Sequence, residues 1–317
     1  MISVDRIHAA AQAIDPVFLN TPQYRSETLS LLLGVAVVCK VETANPIGNF
    51  KGRGMDWWMR CQKGVTRVVC ASAGNLGQAL AYAGRRAGVA VEIFAAETAN
   101  PAKIAAMRRF GAQVHLHGKD FDAAKAEGGN FANQHGQPFP VDGRDPEIAE
   151  GAGTIAFELG KYPAPIDVIY VPVGNGSLVN GIGAWCRAHM PTTKIIGVCA
   201  EGAPAMEQSW RQNKLVSTDT AKTIADGIAV RVPVLESLLP LASAVDDMML
   251  VSDEQIIAAM RAYYHYEHVI AEPTGAVSLA AAMANAPIDQ GKTVVTIVTG
   301  ANIDPQRREE WLRYNQS

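Results

Sequence analysis

"TRVVCASAGNLGQALAYAGRRAG", residues 66–88, is the stretch from which the architecture can be worked out. Its opening, "TRVVCA" (66–71), is a short β-branched apolar run, and its end, "GQALAYAGRRAG" (77–88), is alanine-rich and helical. Between them "SAGNLGQ" (72–78) supplies Ser72, Gly74, Asn75 and Gly77, small and polar residues suited to the turn from a strand into a helix.

The same alternation runs outward in both directions. Further strands are expected at 35–42, 89–95, 112–117, 167–173, 194–200 and 293–299, and helices at 100–112, 145–160 and 177–190. Near-continuous apolar strands separated by helices imply parallel sheets covered on both faces. "QHGQPFPVDGRDP" (134–146), rich in Gly, Pro and polar residues, reads as a boundary. The expected fold class is therefore α/β, with two lobes that each hold a mostly parallel sheet flanked by helices. Residues 1–66 and 145–317 would form the large lobe and 67–144 a small mobile one, with ligands in the cleft at the carboxyl ends of the strands.

With 317 residues, 48% hydrophobic and 19% charged, the chain has the composition of a globular protein with a large core. Its net charge of −3 and the lack of a basic block give no sign of nucleic acid or an anionic membrane surface. The longest apolar run, "LSLLLGVAVV" (29–38), is too short to span a bilayer, and the N-terminus reads as a short amphipathic helix. Five scattered cysteines (39, 61, 70, 186 and 199) fit a reducing compartment rather than a disulfide framework or a zinc site. The expectation is a soluble cytoplasmic protein.

Three other segments belong to the same cleft logic. "PVGNGSLVNG" (172–181) follows a strand and opens a helix, so its backbone N–H groups and the helix dipole suit a phosphate. As a dinucleotide fingerprint, with Glu201 as ribose acid, it lacks the third glycine, whose place falls at Val179. "TGAN" (299–302) puts the hydroxyl of Thr299 at a strand end. "NPIGNFKGRG" (45–54) sets Lys51 among Gly48, Gly52 and Gly54, which reads either as a surface turn or as a lysine held where a ligand approaches the backbone.

Together "NFKGRG", "SAGNLGQ", "GNGSL" and "TGAN", with "TP" (21–22), "TIADGIAV" (223–230) and "EPTGAVSLAA" (272–281), resemble the fold-type II pyridoxal-phosphate enzymes, in the threonine/serine dehydratase and serine racemase branch. The resemblance runs in family order from residue 21 to 304. It implies that pyridoxal 5'-phosphate is the cofactor and that Lys51 is the Schiff-base lysine, with positive neighbours favouring its deprotonation and glycines letting the ring lie close. It implies that Phe50 flanks the ring and Asn75 meets its phenolic oxygen. Gly174, Asn175, Gly176, Ser177 and Leu178 would cradle the phosphate, and Thr299 would face the pyridine nitrogen. The loop of Ser72, Ala73, Gly74, Asn75 and Leu76 would receive an amino-acid substrate. A homodimer is implied too.

The departures carry information. Asn49 replaces the family serine, and Asn175 and Ser177 interrupt the phosphate-loop glycines, but the backbone donors remain. Ala73 stands where racemases place a second serine, which argues against racemisation. Leu76 replaces a histidine and leaves apolar surface beside the substrate. Cys199 and Ala205 occupy the racemase metal positions, and neither suits a hard divalent cation, so no metal is expected.

"WWMR" (57–60) and "YYHYEH" (263–268) are read as packing or subunit surface, and His115 and His117, without an acidic or thiol partner, as no metal site. The leading expectation is β-elimination of a 3-hydroxy amino acid to a 2-oxo acid and ammonia, with a bulky apolar β-substituent such as phenyl favoured by Leu76. The alternatives are a nicotinamide-dependent oxidoreductase using the 174–181 loop, and a catalytically silent relative kept for binding.

Overall fold

The computed structural model describes residues 2–313; Met1 and 314–317, which fall within the range expected for the large lobe, lie outside the described residues. The chain begins with α1 (Val4–Ala13), β1 (Gln23–Ser26), α2 (Glu27–Leu33), β2 (Ala36–Val41) and α3 (Lys51–Cys61). It then crosses to β3 (Arg67–Ala71), α4 (Asn75–Ala87), β4 (Ala90–Ala95), α5 (Pro101–Arg109), β5 (Gln113–Leu116) and α6 (Phe121–Gln134). It returns through α7 (Pro146–Leu159), β6 (Val168–Pro172), α8 (Ser177–His189), β7 (Lys194–Ala200), α9 (Ala205–Gln212), α10 (Leu235–Ala244) and β8 (Asp247–Val251). The last elements are α11 (Asp253–Glu267), α12 (Pro273–Asn285), β9 (Thr293–Val298) and α13 (Pro305–Leu312).

Two sheets result. The larger has the order β1-β2-β9-β6-β7-β8, and the smaller β3-β4-β5. All pairings are parallel except that of β1 with β2. The register of β2 on β9, from Ala36 opposite Thr293 to Val41 opposite Val298, brings their carboxyl ends level. Glu42 and Thr299 therefore leave the sheet side by side, which is where a parallel sheet exposes its ligand edge.

Most strands are apolar on both faces because both are covered. β2, β6 and β9 are buried almost throughout. α12 shows no polar face: every residue from Pro273 to Ala282 is buried, as expected of a helix enclosed on all sides. The sequence reading missed β1, a polar four-residue edge strand, and β8, whose "DMMLV" lacks a β-branched run.

α3 is fixed by a fully buried ionic cluster. The Arg53 guanidinium donates to Glu42 (Nε to Oε2, 2.7 Å), Glu158 (Nη1 to Oε1, 2.7 Å), Thr154 (2.9 Å) and Thr21 (3.1 Å). Lys40 donates to Glu158 at 2.5 Å and to the Thr21 carbonyl at 3.0 Å. Burial alone would raise the Glu158 carboxyl, but Arg53 and Lys40 hold it down to about 2. "TP" and "NFKGRG" thus meet through Thr21 and Arg53.

All five cysteines are free. Among the described residues no helix is long and apolar enough to cross a membrane.

Candidate functional site

Lys51 opens α3 at the carboxyl edge of the larger sheet. The Phe50 N–H donates to the Thr299 carbonyl at 3.0 Å, and the Ala301 N–H to the Gly48 carbonyl at 2.9 Å, so the strand exit of β9 aligns this loop. The Lys51 N–H donates to Asn49 Oδ1 at 3.0 Å, so the asparagine that stands in for serine still supplies a side-chain acceptor at the helix start. Lys51 Nζ lies 4.8 Å from the centroid of the Phe50 ring and 2.6 Å from Asp142 Oδ2.

Two expectations about this segment need correcting. The charge beside Lys51 is the carboxylate of Asp142, not a cation; Arg53, two residues on, projects from another face of α3 into its own carboxylate cluster. Gly52 and Gly54 serve packing, because a Cβ at Gly52 would lie 2.2 Å from the Phe18 ring and one at Gly54 2.7 Å from the Ile148 carbonyl. They let α3 sit tightly against its neighbours and make no room for a ring.

The phosphate-type loop is built as its sequence suggests. Gly174 and Asn175 follow β6, and Gly176, at φ +95°, is the N-cap of α8 with no side-chain cap. The first N–H groups of α8, on the buried Ser177 and Leu178, have no partner within the helix. The loop is braced by the turn carrying Asp142: the Gly143 N–H donates to Ser177 Oγ at 2.9 Å. Gly143 sits at φ +90°, and a Cβ there would lie 2.3 Å from the Asn175 carbonyl. Val179, at the missing third glycine of a dinucleotide fingerprint, is buried in the helix.

The 72–78 loop comes from the smaller sheet. Ser72 shapes it: the Ser72 hydroxyl accepts the N–H groups of Gly74 (3.2 Å) and Gly77 (3.1 Å). The N–H groups of Asn75 and Leu76, at the start of α4, are then the ones directed outward. Ala73 and Leu76 are half-buried and pack against the apolar cluster that includes Leu80 and Met107.

Asn75 joins this loop to the larger sheet. Asn75 Nδ2 donates to Glu272 Oε1 at 2.6 Å, and Asn302 Nδ2 donates to Asn75 Oδ1 at 2.8 Å and to the Ile47 carbonyl at 2.9 Å. The amide of Asn75 is thus oriented from both ends. Burial, reinforced by Asp226, pushes the Glu272 carboxyl up to about 7, against the opposing pull of Lys103 and of Asn75. Thr299 is buried, and its hydroxyl donates to the Thr274 carbonyl at 3.3 Å, while Thr274 Oγ1 accepts the Gly227 N–H at 3.0 Å. "TIADGIAV", "EPTGA" and "TGAN" therefore converge.

Four residues of this site were not assigned from sequence: Asp142, Glu272, Thr274 and Asn302. The last three lie in motifs singled out above, and only their neighbours drew notice. Asp142 lies in the stretch read merely as a boundary.

The donor set fits pyridoxal phosphate. α3, α4, α8 and α12 have no side-chain N-cap, and the bonds just described tie their N-termini together. α7, α9 and α10 lack a side-chain cap as well, whereas α1, α2, α5, α6, α11 and α13 are closed by Ser3, Ser26, Asn100, Asp120, Ser252 and Asp304. Uncapped N-termini offer N–H groups and a positive dipole end to a phosphate. The amine of Lys51, the amide of Asn75 and the neutral hydroxyl of Thr299 are groups of the kinds that would suit the aldehyde, the phenolic oxygen and the ring nitrogen.

Elsewhere, His115 does have an acidic partner, Glu92, at 2.6 Å, contrary to expectation. Among the described residues no group of three or more His, Cys, Asp or Glu is placed to hold a metal ion. Cys199 is buried, its thiol pushed up to about 12 by burial, and Ala205 opens α9. Trp58 and Met59 belong to a core, and Trp57 donates to Glu150 at 3.0 Å. In 263–268, Tyr263 is buried while Tyr264 and Tyr266 are exposed.

Residues 14–300 match the family model "Pyridoxal-phosphate dependent enzyme". The chain is 34% identical over 288 residues to an L-threonine ammonia-lyase of Geobacter sulfurreducens, covering 90% of this chain and 72% of the relative. It is 30% identical over 308 residues to an L-threo-3-hydroxyaspartate ammonia-lyase of Pseudomonas sp, covering 96% of each. It spans only 56% of the length of a biosynthetic L-threonine dehydratase of Pasteurella multocida, to which it is 33% identical over 90% of its own length. Among solved structures it is similar to the processed threonine deaminase isoform 2 of Solanum lycopersicum, with TM-score 0.92 and 31% identity, covering 97% of this chain and 92% of that one. It is also similar to maize serine racemase, with TM-score 0.91 and 25% identity, covering 98% and 96%.

Proposed function

The chain belongs to the family of pyridoxal-phosphate-dependent enzymes, and on that premise we propose that it is an ammonia-lyase that converts a 3-hydroxy amino acid to a 2-oxo acid and ammonia. The observation that carries this reading is the placement of Lys51 at the head of α3, joined through Asp142 and Gly143 to the anion loop of α8. The relatives named as threonine and hydroxyaspartate ammonia-lyases support it.

In this reading Phe50, Lys51, Asn75, the backbone of residues 174–178 and Thr299 hold the cofactor. The cofactor, when bound, withdraws the electron pair left on the substrate's Cα. The substrate carboxylate docks on the N–H groups at the start of α4. Lys51 Nζ takes the proton from Cα, the β-hydroxyl leaves as water with a proton from the site, and the enamine released hydrolyses to the 2-oxo acid and ammonia. Thr299, being neutral, does not hold a proton on the ring nitrogen as a carboxylate would, which favours losing a β-substituent over transamination. Residues 67–144 act as a small mobile lobe that brings Asn75 and Leu76 to the substrate. A homodimer belongs to this reading through the family resemblance.

Leu76 sets the finer preference. It offers apolar surface at the substrate, and burying one methylene gains about 0.8 kcal/mol, so a phenyl β-substituent gains over a methyl or a hydrogen. The test is 2-oxo acid release from serine, threonine and phenylserine by the wild type, Lys51→Ala and Leu76→His. The expected result is no turnover by Lys51→Ala, and a kcat/KM for phenylserine above that for serine that Leu76→His reduces. Full activity of Lys51→Ala would overturn the reaction; phenylserine as the poorest wild-type substrate would overturn the preference.

A further inference from the structure

We propose that Asp142 makes this site reject substrates with a β-carboxylate and take those with a neutral or cationic β-substituent. The inference rests on the hydroxy-amino-acid reading above and narrows it to a substrate class.

The geometry places a negative charge beside the reacting carbon. A base that removes a proton from Cα must bring Nζ within hydrogen-bond range of it, about 3 Å. Asp142 Oδ2 is 2.6 Å from that nitrogen, so the carboxylate lies within about 6 Å of Cα, close enough for its charge to be felt by a charged group on Cβ. The position is built in: the turn is closed by the N–H groups of Arg144 and Asp145, each 3.1 Å from the Val141 carbonyl. The Val141 N–H donates to Asp145 Oδ2 at 2.8 Å, and the Gly143 N–H ties the turn to Ser177. The backbone that carries Asp142 cannot shift without unfastening the anion loop.

Its charge has one partner. Oδ2 takes the Lys51 ammonium, and Oδ1 is buried with no hydrogen-bond partner among the described residues. To take a proton from Cα, Lys51 must be the neutral amine, so at that step Asp142 has no ammonium opposite it. Arg144, two residues on, is engaged with Asp145 and the Phe139 carbonyl. A second carboxylate on Cβ would meet a like charge in a partly desolvated site, whereas a neutral β-substituent would not.

The test uses the cofactor-loaded full chain and two ligands that cannot react, succinate and butyrate, whose Kd values are measured by calorimetry. A like-charge penalty of 1.4 kcal/mol corresponds to about tenfold, so the wild type should bind succinate at least that much more weakly than butyrate. Asp142→Asn, which keeps the shape, should narrow the ratio several-fold; Asp142→Ala is the second variant. In parallel, the wild-type kcat/KM for threo-3-hydroxyaspartate should fall well below that for threonine, with the gap closing in Asp142→Asn. If both variants leave the two ratios unchanged while threonine is turned over, the inference fails and the ammonia-lyase reading stands. If no hydroxy amino acid is turned over but the succinate-to-butyrate ratio narrows as expected, that reading fails and the role of Asp142 stands.

Discussion

Lys51 and Arg53 lie two residues apart on one helix, point to different sides of it, and end in opposite kinds of surroundings. Arg53 is completely buried, yet its guanidinium is matched by two carboxylates and two hydroxyls. Lys51 is partly exposed and faces a single carboxylate, one of whose oxygens has no partner among the described residues. Further round the cleft, Glu272 is buried with its carboxyl pushed up to about 7. A satisfied buried network rigidifies what it holds, while an under-partnered group beside a cleft can bind or exchange a proton. The Arg53 cluster is scaffold, and in the proposed reading the Lys51 side is the working face.

The largest effect that separates the two faces is on stability. Arg53→Met leaves Glu42 and Glu158 buried without their main partner and should destabilise the protein by about 3–5 kcal/mol in denaturant unfolding. Lys51→Ala, measured the same way, should cost clearly less, because it removes one partly exposed pair and not the hub of a fully buried network. Equal losses in the two variants would erase the distinction between them.

A smaller effect tests the working face by pH. The Glu272 carboxyl, ordinarily near 4.5, is raised to about 7 in the folded chain, so the fold binds its proton more tightly than the unfolded chain does. The stability this contributes is complete below about 4.5 and is lost as pH rises through about 7. Glu272→Gln keeps an acceptor for Asn75 and carries no charge. It should match the wild type near pH 5 and be more stable by up to about 3 kcal/mol near pH 8. A constant difference across that range would remove Glu272 as a titrating group.

How much of this was legible in the sequence follows the same division. The strand–loop–helix units could be read because each is local: the expected helix at 145–160 is found as Pro146–Leu159, and the strand at 194–200 as Lys194–Ala200. The glycine loops also announce themselves, since a turn that takes a positive φ, as at Gly176 (+95°), favours glycine. α12 carried too little periodicity to be delimited, because a helix buried all round has no polar face. The partners of the site were harder still. Asp142 lies 91 residues from Lys51, and Glu272 197 from Asn75, so only the packing of two sheets brings them together. The roles assigned to Gly52 and Gly54 went astray for a related reason: a glycine needed for a tight helix contact looks, in sequence, like one needed by a ligand.

The central claim is that Lys51 carries the cofactor. Borohydride reduction of the loaded protein fixes a bound pyridoxyl group to its lysine, and peptide mass mapping then identifies the residue. The account predicts loss of the absorption of the bound cofactor and a pyridoxyl group on Lys51, with no labelled peptide from Lys51→Ala. A pyridoxyl group on another lysine, or none on the wild type, would contradict it.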